Sequence, residues 1–250
     1  MTGESQASAA STQSTARRRF IKAVITACSC GNVTFAQRTL EEKARSSLSK
    51  GQRDLLTPDQ VVDSLKRDNK RFHGGQMISR DLASQKRSAS QGQFPAALIL
   101  GCIDSRAPAE IIMDTGIGDT FNARIAGSVV NDDILGSMEF ACSVAGAKVV
   151  LVLGHSACGA IKGAIDDVVM GNLTGLLARI KPAIAATHFD GDRSSKNPAY
   201  VDAVAKTNVT NTMKEIRRRS KILSSMEEKK SIRIVGAMYD LNSGMIDFLP

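Results

Sequence analysis

Two uninterrupted apolar runs constrain the fold more than any other feature: Ala96-Ala97-Leu98-Ile99-Leu100 and Val149-Val150-Leu151-Val152-Leu153. Neither alternates with polar residues, the pattern of a strand covered on both faces, and such strands belong to parallel sheets flanked by helices. Each run stops at a glycine that precedes a side chain of a type able to ligate a metal, Gly101 before Cys102 and Gly154 before His155. Open parallel sheets form their crevice at the carboxyl ends of the strands. The two runs therefore predict an α/β domain in which both side chains face one site.

The rest of the chain supplies the helices. Thr57-Pro58-Asp59-Gln60 has the arrangement of a capping box with proline in the first helical position, and Val61, Val62, Leu65 and Phe72 then share one face of a helix ending near Gly74-Gly75. His73 lies at its end, in an exposed or capping position. After the Gly116-Ile117-Gly118-Asp119 turn, Thr120 to Arg124 predicts a second β segment. Asn131 can cap a helix through Ile134, Leu135, Met138, Ala141 and Val144 that closes at Gly146. Another helix starts at Pro198 and runs through Val201, Val204, Val209, Met213 and Ile216. Ile232 to Tyr239 and Met245 to Leu249 flank Asp240-Leu241-Asn242-Ser243-Gly244 as a hairpin-like ending.

At 250 residues the chain suits one sizeable domain. The net charge of +8 is scattered rather than clustered with aromatics, which gives no nucleic-acid partner, and residues 1–36 hold Arg17, Arg18, Arg19 and Lys22 against Glu4, so +5 remains without them. No apolar run approaches the roughly 18 residues of a membrane span.

That first stretch reads as a leader. Residues 1–15 are rich in Ser, Thr, Ala and Gln; Ala16-Arg17-Arg18-Arg19-Phe20-Ile21-Lys22 then resembles a twin-arginine export signal, followed by a mildly apolar segment to Phe35. Cleavage after Ala36 and a periplasmic location are the expectation. Two alternatives are a lipid anchor through Cys28 and a plastid transit peptide. Residues 37–56 are polar and charged and read as a linker, a short surface helix or tether, leaving 57–250 as the main folded domain.

Of five cysteines, Cys28 and Cys30 fall in the leader and Cys142 in an apolar helical stretch, where it reads as a small core residue. Cys102, His155 and Cys158 can fill three corners of a zinc tetrahedron, with the fourth left to Asp104 or to a water. Cys158 falls near a helix amino terminus, which favours its thiolate.

Cys102-x-Asp104-Ser105-Arg106, followed 48 residues after Arg106 by Gly154-His155-x-x-Cys158-Gly159 and then Ala160-Ile161-Lys162-Gly163, resembles the β-class carbonic anhydrases. The likeness runs from about Thr57 to Leu249. It implies a Rossmann-like, mostly parallel central sheet flanked by helices, a single domain with an amino-terminal helical arm, matched by the Thr57 to Phe72 helix, that crosses onto a second protomer. It also implies a homodimer or higher homo-oligomer with its clefts at the subunit interface.

The implied reaction is reversible hydration of carbon dioxide to bicarbonate and a proton, by attack of zinc-bound hydroxide. Cys102, His155 and Cys158 would hold one Zn(2+) per subunit. Asp104, held by Arg106, would orient the nucleophile and would reach zinc only in a closed low-pH state. Gln93, Phe121 and Gly159 match the substrate-binding positions, and Phe140 stands where many members carry tyrosine. The segment Ala123 to Ser128 departs from the commoner family version. The chain has no tryptophan, which some members use to stabilise the closed state, so the open state is expected at neutral pH. Two alternatives share these motifs: a carbon disulfide hydrolase of the same family and a non-catalytic zinc-stabilised scaffold. His188 lies outside both motifs and reads as a surface histidine.

Overall fold

The computed structural model describes residues 38–250; the leader, with Cys28 and its three arginines, lies outside the described residues. Five strands form one sheet in the order β2-β1-β3-β4-β5. They are β1 (Ala97–Gly101), β2 (Thr120–Arg124), β3 (Val149–His155), β4 (Arg233–Tyr239) and β5 (Ile246–Phe248). β1 pairs in parallel with β2 and β3, and β3 with β4, while β5 turns back antiparallel on β4.

The apolar runs behave as their composition requires. β1 and β3 are buried along their whole length. Alternate side chains enter opposite core layers: Ile99, Val149, Leu151 and Leu153 pack on one face, and Leu98, Leu100, Val150 and Val152 on the other. Each fully buried aliphatic side chain of this kind contributes about 1.5–3 kcal/mol relative to exposure.

Eleven helices surround the sheet among the described residues: α1 (Leu40–Arg45), α2 (Lys50–Asp54), α3 (Pro58–His73), α4 (Leu82–Ala89), α5 (Ala109–Ile112), α6 (Asp132–Glu139), α7 (Gly159–Ile165), α8 (Gly171–Ala178), α9 (Lys181–Ala186), α10 (Pro198–Arg219) and α11 (Lys221–Glu228). None of these is long and apolar enough to cross a membrane. α3 has the expected capping box, Thr57 Oγ1 accepting from the Gln60 amide and Gln60 Oε1 from the Thr57 amide. Its Val61, Val62 and Leu65 join the layer of Ile99 and Leu151 on this chain's own sheet. α6, α10 and α11 cover the other face through Met138, Ile216 and Leu223.

Residues 38–54 form α1 and α2, short helices each closed by a capping box, and polar contacts hold them against the sheet-bearing residues. Arg38 Nη1 donates to Asp119 at 2.6 Å, Lys43 Nζ to Asp68 at 2.9 Å, and Gln85 Nε2 to the Lys43 carbonyl at 2.6 Å. The helix capped by Asn131 does not stay α-helical to Val144. It widens at Phe140–Val144 into a π turn, closed by the Ala145 amide on the Phe140 carbonyl at 2.9 Å. The buried Arg53 guanidinium takes the Ala145 carbonyl, so the carbonyl end of that turn is partnered by α2.

Candidate metal centre

The sheet delivers its ligands as the strand ends require. Cys102 follows β1 directly, and His155 is the last residue of β3. The chain then turns through Ser156 and Ala157, and Cys158 is the N-cap of α7. The three side chains are buried. Cys102 Sγ and Cys158 Sγ lie 4.0 Å apart, and the ligand atoms of all three residues fall within 4.8 Å of one another.

The ring of His155 is oriented through its other nitrogen, since Nδ1 bonds the Ser156 carbonyl at 2.9 Å. That leaves Nε2 buried with no hydrogen-bond partner, a costly state for a polar atom unless something else satisfies it. The thiols are not independent. The contact with Cys158, then the neighbouring His155 and the Gly127 amide, bring the Cys102 thiol down to about 4 despite its burial; the same contact and burial push Cys158 up. Between them the sulfurs hold a proton that a cation would displace. An orphaned imidazole nitrogen facing two such sulfurs fits a thiolate- and imidazole-bound ion.

Asp104 lies beside this cluster, with its carboxylate held by Arg106. Oδ1 accepts from the Arg106 amide at 3.0 Å and from Arg106 Nε at 2.9 Å, and Oδ2 accepts from Arg106 Nη2 at 2.7 Å. Oδ2 is 3.9 Å from His155 Nε2. The Arg106 side chain, followed by its backbone amide, holds the Asp104 carboxyl far below the usual carboxylate range against a partial burial penalty. The arrangement presents three side chains that could hold a metal ion, with an ionised carboxylate beside them.

Arg124 is a member of the site that sequence reading did not single out. Its Nε donates to the Cys102 carbonyl at 2.8 Å and its Nη2 to the Asp104 carbonyl at 2.5 Å, so the last residue of β2 clamps the Cys102 loop. Parallel pairing of Gly101 with Arg124 puts it there, and no local motif announces that register.

Gly159 lies in the site as the first residue of α7, with open space where a Cβ would project. Gln93 and Phe121 are not brought to the cluster within the chain. Gln93 is exposed and precedes the amino end of β1, whereas Cys102 follows its carboxyl end; five strand residues separate them, about 16 Å of chain. Phe121 pairs with Leu98 in the register and packs edge-on against Phe140, with ring centroids 6.3 Å apart. Cys142 is a buried core residue whose thiol burial pushes up to about 12. His188 is exposed, and His73, also exposed, bonds the Ser243 carbonyl through Nδ1 at 2.7 Å.

Comparison with known proteins agrees with this geometry. A family model described as carbonic anhydrase matches residues 97–246. The chain is similar to carbonic anhydrase 2 of Mycobacterium tuberculosis, with 35% identity over 187 residues, 72% of this chain and 87% of that protein. It is also similar to a carbonic anhydrase of Mycolicibacterium smegmatis, with 33% identity over 190 residues, 74% of this chain and 89% of the other. Among solved structures, a β-carbonic anhydrase of Aspergillus fumigatus has a TM-score of 0.60 at 26% identity, covering 76% of this chain and 90% of that one. One of the two tetrameric β-carbonic anhydrases from Sordaria macrospora has the same fold, with a TM-score of 0.59 at 24% identity, covering 76% and 92%.

Proposed function

Because the chain belongs to the β-carbonic anhydrase family and is a carbonic anhydrase, we propose that its reversible hydration of carbon dioxide depends on one zinc ion per subunit, held by Cys102, His155 and Cys158. The observation that carries this is the buried, unpartnered His155 Nε2 beside two hydrogen-bonded thiols. Two thiolates and an imidazole are a zinc donor set, and three protein ligands leave the position that a catalytic site needs. When bound, zinc supplies the Lewis acidity that brings the pKa of water down to about 7.

The chain's own groups then organise the reaction. Arg106 occupies both Asp104 oxygens and keeps the carboxylate from swinging into the fourth corner. Asp104 retains free lone pairs on the cluster side, so it can accept a hydrogen bond from the attacking water and aim its oxygen at the substrate carbon. Gly159 offers a backbone amide at the start of α7 with no side chain in the way. A metal serving only structure would usually take a fourth protein ligand, and this paired carboxylate would then have no task.

The remaining substrate residues come from a second subunit. Gln93 and Phe121 are displaced from their own cluster along β1 and β2, and β2 is an edge strand. A homodimer or larger homo-oligomer in which they face the partner's cluster uses both. The twin-arginine-like leader supports export to the periplasm, which fractionation of cells carrying Arg17→Lys with Arg18→Lys and Arg19→Lys tests. Parallel assays of carbon dioxide hydration and carbon disulfide hydrolysis on the zinc-loaded full chain test the reaction. Hydration with negligible disulfide turnover is expected; efficient disulfide hydrolysis would point to the related hydrolase instead.

A further inference from the structure

The longest helix, α10, has 22 residues, and its apolar stripe marks it as a core element. It comes unusually close to the sheet. A Cβ on Gly154 would lie 2.6 Å from Val209 Cγ2, and one on Gly236 would lie 2.7 Å from Val209 Cγ1. With the helix that near, even short polar side chains on it reach the loops that carry the ligands.

Two of them do so. Asn208 is 4% exposed, and its Nδ2 donates to the Gly127 carbonyl at 2.7 Å. Gly127 in turn donates its amide to Cys102 Sγ at 3.4 Å. It sits at φ +71°, with Ile180 so close that an added Cβ would be 2.6 Å from its Cδ1. The next residue, Ser128, is fixed to β3 by Oγ donating to the Leu153 carbonyl at 2.9 Å. Asp202, farther toward the start of α10, accepts from the Ala157 amide through Oδ1 at 2.9 Å. Ala157 lies between His155 and Cys158 and has φ +52°, a conformation disfavoured for a residue with a Cβ.

We propose that Asn208 and Asp202 are positioning residues of the metal centre, so that α10 acts as a common template for its ligands. Asn208 holds the Gly127 amide on the Cys102 sulfur. Asp202 holds the left-handed turn that sets the spacing of His155 and Cys158. Neither touches substrate, and both act through backbone groups whose loss leaves the ligands present but poorly placed. Partners of this kind commonly change metal affinity by about 10–100-fold. The inference rests on the reading of Cys102, His155 and Cys158 as metal ligands.

The test uses the full chain, with zinc affinity measured by competition against a chromophoric chelator and the thiolate-to-metal charge-transfer band recorded after cobalt(II) substitution. Asn208→Leu and Asp202→Ala are expected to bind zinc at least about tenfold more weakly. In Asn208→Leu the band is also expected at longer wavelength, because the sulfur has lost a hydrogen bond. Asp202→Asn keeps an acceptor oxygen and should restore wild-type affinity. Ile216→Ala, a buried change on the same helix away from both loops, should lower stability but leave affinity and band unchanged. Wild-type affinity in Asn208→Leu and Asp202→Ala would overturn the proposal, as would an equal loss of affinity in Ile216→Ala. Should Asn208→Leu not fold, the contrast between Asp202→Ala and Asp202→Asn decides it. A wild-type chain showing no thiolate band with cobalt would instead overturn the ligand assignment itself.

Discussion

Gly127→Ala puts the geometry of the Cys102 loop to a quantitative test. Two separable costs fall on one methyl group. At φ +71° a residue with a Cβ pays about 1–2 kcal/mol that glycine does not. The methyl would also meet Ile180 Cδ1 at 2.6 Å, and Ile180 is fully buried, so relieving the clash by overpacking costs about 1–3 kcal/mol. Together these give about 2–5 kcal/mol. At about 2–4 °C per kcal/mol for a domain of this size, the melting temperature should fall by about 4–20 °C. The assay is thermal unfolding of the metal-loaded chain followed by circular dichroism, repeated in an Ile180→Ala background. There the steric part disappears, and Gly127→Ala should cost only the conformational part, about 1–2 kcal/mol. An equal cost in both backgrounds, or a total below about 1 kcal/mol against the summed expectation, would refute the reasoning.

The Asp104–Arg106 pair makes a prediction about pH. Because the folded carboxyl is depressed by Arg106, its contribution is complete above the ordinary aspartate value of about 4 and is lost only as pH falls through the lowered value. The kcat/KM profile should therefore show no limb from Asp104 between about pH 5 and 9, and Arg106→Gln should raise the acid limb toward the ordinary value; an unmoved limb would count against the pair. Stripping the metal with a chelator should expose Cys102, whose thiol lies at about 4, to alkylation well before Cys142, at about 12; peptide mapping by mass spectrometry checks the order. Arg53→Ala removes the partner of the Ala145 carbonyl and should cost about 1–3 kcal/mol in urea unfolding with kcat unchanged.

The parts legible in the sequence were those in which side-chain type repeats or clusters locally. The runs at Ala96–Leu100 and Val149–Leu153 suited doubly covered strands, and the structure places the residues after them at one end of a parallel sheet. A short surface helix was legible in residues 37–56 from their charge pattern, but its anchoring was not, because α1 buries no residue and the segment is held by Arg38, Lys43 and Arg53 rather than by an apolar face. The π turn at Phe140–Val144 leaves the apolar spacing almost as an α-helix would have it. Only eight residues intervene between Gln93 and Cys102, but they run along β1 and set the two at its opposite ends. Asn208 and Asp202 carry no signature, since their partners are backbone atoms of Gly127 and Ala157 that any sequence supplies.

The central claim is that Cys102, His155 and Cys158 hold the ion while Asp104 stays off it and serves the reaction. Metal content and stopped-flow carbon dioxide hydration, measured side by side on the full chain, Cys158→Ala and Asp104→Ala, test it most directly. The expected result is one zinc per chain and turnover in the wild type, neither in Cys158→Ala, and full zinc with little turnover in Asp104→Ala. Zinc retained with full activity in Cys158→Ala, or undiminished turnover in Asp104→Ala, would contradict it.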